Sequence, residues 1–133
     1  MKFVIASYNS FNKPQCPPIR FGVILNDGQK TYYYFDTSTK RRDEIQKISD
    51  HFDEYTFKEF SKTFEDMFIK PGIAYQTDEK GVRRKINVND TEFLDYLSSN
   101  SEGPYQYQKP LDVEGNNPEH LLQIIASQLL YAV

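Results

Sequence analysis

Few residues in this chain are of the types that carry out catalysis. One cysteine and two histidines are present, Cys16, His51 and His120, and neither a His-Glu-x-x-His nor a Cys-x-x-Cys spacing occurs. No metal site is therefore expected from protein ligands. A nucleophilic thiol needs a neighbouring base or cation to form the thiolate, and Gln15, Pro17 and Pro18 beside Cys16 supply none. A passive thiol is the expectation, and a thiol enzyme centred on Cys16 is the least favoured of the functions weighed. The glycines stand singly, so neither a phosphate-cradling loop nor a dinucleotide fingerprint can be written. No pair of carboxylates stands out from the acidic background. The sequence predicts no catalytic residue and no cofactor.

Binding chemistry is better represented. Lys40-Arg41-Arg42 and Arg83-Arg84-Lys85 are two compact basic clusters. The first lies where a strand leads into a helix, whose free amides favour anions, so the two would form a phosphate or nucleic-acid site if the fold united them. Pairing with Asp43, Glu44, Asp78 and Glu79 is the more economical use for them. Ten Tyr and ten Phe with no Trp make aromatic rings the main source of burial. In Thr31-Tyr32-Tyr33-Tyr34-Phe35 strand alternation puts Tyr33 and Phe35 on one face and Tyr32 and Tyr34 on the other. If one face stays open, Tyr32 and Tyr34 are interface residues, since tyrosine is enriched where proteins meet. Charge is uneven: residues 1–89 hold 15 Lys and Arg against 12 Asp and Glu, and residues 90–133 hold 1 against 7. An acidic C-terminal surface that includes Glu114 suits a protein partner better than a nucleic acid.

Elements must position these groups. With 133 residues the chain is expected to form a single globular domain, 1–133. Lys2–Tyr8 reads as a strand that ends in a Pro-rich loop. Arg20–Leu25 and Thr31–Phe35 flank Asn26-Asp27-Gly28 as a hairpin. Gly22 in its first arm marks a bulge or a close backbone approach. Ile45, Ile48 and Phe52 have helical spacing, which predicts a short helix over 40–50. Thr56 and Glu59 form a capping box opening a second helix whose stripe is Phe57, Phe60, Phe64 and Phe68, stopped by Lys70-Pro71-Gly72. A second hairpin is predicted from Ile73–Thr77 and Val82–Val88 around Asp78-Glu79-Lys80-Gly81. Asn89 with Glu92 predicts another capped helix through Phe93, Leu94 and Leu97. Tyr105–Lys109 reads as an edge strand. Asn117-Pro118 opens a last helix that buries Leu121, Leu122, Ile125 and Leu129. The expected class is α+β, a mainly antiparallel sheet of about four to six strands packed with three to four helices.

Phe21-Gly22-Val23-Ile24-Leu25, Tyr105-Gln106-Tyr107 and the Asn117-Pro118-Glu119 helix start, taken in that order, resemble a family of small bacterial proteins, a domain of unknown function often encoded beside HipA-like kinases. That resemblance implies no catalytic residues. Low Ala with abundant Asn, Ile, Lys, Tyr and Phe points to AT-rich coding, which suits a bacterial or phage source. No apolar run approaches the roughly 18 to 20 residues of a membrane helix. The N-terminal apolar run is too short for a signal peptide, and a lone cysteine fits a reducing compartment, so a cytoplasmic location and no membrane contact are expected. The function expected is non-enzymatic: an accessory or inhibitor protein that binds another protein. Nucleic-acid or phosphate binding through the basic clusters is the alternative.

Overall fold

In the computed structural model the described residues are 1–9, 15–48, 57–100 and 105–130. Three antiparallel strands, β1 (Lys2–Tyr8), β2 (Ile19–Asn26) and β3 (Thr31–Phe35), form the body of a five-stranded sheet. Two short strands later in the chain, β6 (Tyr105–Tyr107) and β7 (Leu111–Asp112), both pair with the outer side of β1, so β3 is the opposite edge. A separate two-stranded sheet comprises β4 (Ile73–Thr77) and β5 (Arg83–Asn87). The helices among the described residues are α1 (Thr39–Ile48), α2 (Phe57–Phe64), α3 (Glu92–Ser99) and α4 (Pro118–Leu129). The fold is α+β, as the element pattern predicts. No helix among the described residues is long and apolar enough to cross a membrane.

Strand alternation sorts the apolar residues into two layers. Val4, Ala6, Phe21, Ile24 and Phe35 face one core, shared with Ile45 of α1, Phe64 of α2 and Phe93, Leu94 and Leu97 of α3. Phe3, Ile5, Val23 and Leu25 face the other, shared with Ile125, Ala126 and Leu130 at the end of the chain. Both faces of the hairpin are therefore covered to some extent, where the sequence left open that one might be bare. The pairing of β1 with β2 slips between Ala6 and Ser7, leaving Phe21 as the extra residue of a bulge. The bulge turns Phe21 to the same side as Gly22. A Cβ on Gly22 would lie 2.3 Å from the Phe35 ring and 3.2 Å from Ala6 Cβ, so the glycine stands next to the bulge and makes room for a side chain, the Phe35 ring, rather than for another backbone.

Some predicted elements take a different form. α2 does not run on as an α-helix: Glu65–Ile69 is a π-helical turn in which the Lys70 N–H donates to the Glu65 carbonyl at 2.8 Å. Gly72, at φ 71°, then ends the helical run. Asn89 does not cap α3, whose N-cap is Thr91 without a side-chain bond. The Asn89 side chain accepts from the Thr31 N–H instead. Phe52, Tyr55 and the Thr56 half of the predicted capping box lie outside the described residues. β7 was not expected, because two residues after Pro110 carry no periodicity to read.

Candidate binding groove along the β3 edge

β3 is fixed firmly at both ends. At its start the fully buried Asn26 donates from Nδ2 to the Thr31 hydroxyl at 3.1 Å and to the Asn89 carbonyl at 2.8 Å, while its Oδ1 accepts from the Gly28 N–H at 2.7 Å. Thr31 in turn donates from its N–H to Asn89 Oδ1 at 3.1 Å and from its hydroxyl to the Val88 carbonyl. The hairpin tip is closed by Asp27, whose carboxylate accepts from the N–H groups of Gln29 and Lys30 at 2.8 and 2.7 Å. Those two bonds hold the Asp27 carboxyl below its ordinary pKa.

At the far end Asp36 is buried. Burial pushes its carboxyl up, but bonds from Ser38 and from the Arg41 guanidinium outweigh that and hold it below its ordinary value. Arg41 Nε lies 3.2 Å from Asp36, its Nη1 lies 3.0 Å from Glu44, and Nη2 donates to the Leu130 carbonyl at the end of α4. One side chain thus joins β3, α1 and α4. Midway along the strand the Tyr33 hydroxyl donates to Glu65 of the π turn. Burial first, then that carboxylate, raises the Tyr33 pKa, so the phenol stays protonated.

The middle of the strand has an open edge. The Thr31 N–H points outward to Asn89, whereas the Asp36 N–H points inward to the Phe21 carbonyl at 2.7 Å. Alternation between these two fixed points puts the N–H and C=O of Tyr33 and Phe35 on the outer side, away from β2. Among the described residues none bonds to those outer groups. A groove of about 810 Å³ runs along this edge. Its floor is Thr31–Tyr34; Leu122, Gln123, Ala126 and Ser127 of α4 form one wall and Ile69 of the π turn stands opposite. α4 starts beside the Met1–Val113 pairing, at the Thr31 end of the sheet, and finishes at Arg41, beside Asp36, so helix and strand run in the same direction.

The predicted interface tyrosines both line this groove, in different states. Tyr34 is 40 % exposed, while Tyr32 is half-buried against the α4 core with Lys30 Nζ 5.2 Å from its ring centre. Glu114 is exposed in the loop before α4 and does not line the groove; the carboxylate that does is Glu119. The α4 residues of the wall were missed as site residues because a helix stripe reads only as core.

The basic clusters belong to different neighbourhoods. Lys40, Arg41 and Arg42 lie in the first turn of α1, which packs on β2, whereas Arg83, Arg84 and Lys85 lie on β5, which packs on β4 and α3. Arg41 and Arg84 are paired with carboxylates, the latter with Glu92, and the Arg83 guanidinium sits 4.2 Å from the Tyr75 ring centre. Lys40, Arg42 and Lys85 are exposed. Cys16 is a half-buried free thiol in the turn before β2. Among the described residues no group of three His, Cys, Asp or Glu could hold a metal ion. No family model, curated protein or solved structure matches this chain.

Proposed function

We propose that this chain is a non-enzymatic binding protein, an accessory or inhibitor protein of bacterial or phage origin acting in the cytoplasm, whose partner is another protein that lays an extended segment along β3. The observation that carries this reading is the outward main chain of Tyr33 on the floor of a walled groove, continued by that of Phe35 just beyond it along the strand. An edge strand offers main-chain donors and acceptors at the spacing of a second strand, and strand addition uses them for affinity while side-chain pockets supply specificity. Alternate side chains of the added segment would meet Leu122 and Ala126 on one wall and Ile69 on the other. The flanking walls favour a single extended segment over a second copy of this sheet, whose own α4 and π turn would have to enter the same space. Tyr34 supplies contact area at low entropic cost.

Selection of displayed linear peptides against the folded protein tests this reading. Selected peptides are expected to bind wild type, to lose at least about tenfold in affinity to Gln123→Trp, which fills the groove from an exposed position, and to slow amide exchange at Tyr33 and Phe35. Peptides that bind Gln123→Trp equally well and leave those two amides unprotected would place the interface elsewhere.

A further inference from the structure

A second concave site lies on the opposite face of the sheet and shares no lining residue with the β3 groove. It is a cleft of about 340 Å³ where α2 and the π turn meet α3 and β6. Its walls are rings. Phe60 stacks on Tyr105 with centroids 4.4 Å apart, and Phe68 meets Tyr96 edge-on at 6.2 Å. The π turn contributes Met67 to the rim, 58 % exposed, a high value for an apolar side chain. Extra-residue turns of this kind occur often at functional sites.

Among the described residues the polar equipment of the cleft is sparse and neutral. Among the described lining residues none is Asp, Glu, Lys, Arg or His. A charged ligand would lose its hydration there without gaining a counter-charge from any of these residues. Asn100, at the end of α3, donates from Nδ2 to the Tyr96 carbonyl at 2.8 Å, which leaves its Oδ1 as an acceptor at the rim. The Thr63 hydroxyl is a second rim group, on the exposed side of α2. Burial raises the Tyr107 pKa, so this lining phenol also stays uncharged.

We propose that this cleft binds a small, flat, uncharged aromatic molecule of about two fused rings with one hydroxyl or N–H donor, its rings between the aromatic walls and its donor on Asn100 Oδ1. The volume lies at the lower end of the range of ligand pockets, about 300 to 1,000 Å³, which suits a small compact ligand rather than an extended one. Ring–ring contacts supply the affinity, and the neutral lining sets the selectivity. This site and the strand-addition site stand or fall separately.

Titration of methyl-labelled protein with 2-naphthol, followed by NMR, is the test, with 2-naphthoate as a charged molecule of the same ring system. Saturable shifts are expected at the Met67, Leu97 and Thr63 methyls, with naphthoate at least about tenfold weaker. Thr63→Trp, an exposed substitution that leaves the core intact, should abolish the response to naphthol. The absence of a saturable shift up to about 1 mM naphthol, or shifts centred on Leu122 and Ala126 instead, would overturn the site. Equal binding of naphthoate would overturn the neutral-ligand assignment. The wild-type titration decides the matter even if the tryptophan variant fails to fold.

Discussion

Arg41 ties the end of β3 to α1 and to the end of α4. In Lys40-Arg41-Arg42 it reads as one third of a basic cluster, but its guanidinium is spent on Asp36, Glu44 and the end of α4. Asp36 is the partner whose titration exposes this joint. Its folded pKa is lowered, so between that value and the unfolded value near 3.9 the unfolded chain binds the extra proton and stability rises with pH. The contribution is therefore complete above the unfolded pKa and is lost as pH falls through the folded one. Asp36→Asn should cost about 2 to 4 kcal/mol at pH 7, because Asp36 and Arg41 side chains are only 5 % and 11 % exposed, and the deficit relative to wild type should hold level down to about pH 5 and shrink only as pH falls below the unfolded value near 3.9. Urea unfolding of both proteins across that range measures it. A deficit that stays constant with pH would mean that the carboxylate's charge is irrelevant and only its shape matters. Asn26 and Asn89 carry a similar lesson: the turn at Asn26 was legible, but Asn89 reads as a helix cap and instead meets Asn26 and Thr31 across more than 50 residues of chain.

At the scale of elements, legibility followed periodicity. The β2–β3 and β4–β5 hairpins, α4 and the aromatic stripe all have repeating patterns, and each forms close to its predicted bounds. The π turn had no such signal, since Phe64 and Phe68 keep the same four-residue spacing whether the turn between them is α or π. They remain in contact, 5.3 Å apart and edge-on. Phe64 is the stripe's deepest described member, 2 % exposed and packed against Tyr33 and Phe35 at 5.4 and 5.2 Å. Phe64→Ala should cost about 3 to 5 kcal/mol and lower the melting temperature by roughly 10 °C or more. Met67→Ala, three residues on and mostly solvent-facing, should stay within about 0.5 kcal/mol of wild type. Thermal melts of the two variants side by side check the helix phase through the π turn; equal losses would mean that the stripe is set differently. The β3 edge, by contrast, was only half readable. Alternation gave the two tyrosine faces, but which strand lies at the edge depends on β6 and β7 returning to β1, a long-range pairing with no local sign.

For the whole molecule, the uneven charge acquires a location. The acidic C-terminal third includes α4, which forms one wall of the groove, and the loop ahead of it, with Glu114 exposed in that loop and Glu119 on the groove lining together with Lys30. Lys40 and Arg42 are exposed in the first turn of α1, just beyond the other end of β3. In the proposed strand addition, a partner segment would pass Glu119 and Lys30 at the Thr31 end and the exposed Lys40 and Arg42 beyond Asp36, so its two ends would meet different charge settings during encounter. Charges outside the contact area act on association more than on dissociation, because they bias the approach without being desolvated in the complex. Glu114 has that position. With a peptide selected on the folded protein, Glu114→Gln should change the association rate about two- to fivefold at low salt and leave the dissociation rate within error, and the difference should vanish near 0.5 M salt, where the screening length falls to about 4 Å. Tyr34→Ala should do the reverse, speeding dissociation by more than about fivefold with little change in association, since its ring would be covered in the complex. Stopped-flow or surface-based kinetics on the two variants separate the roles. If Glu114→Gln altered dissociation while Tyr34→Ala altered neither rate, the contact would be centred on the α4 loop, and β3 would be only a neighbour of the true interface.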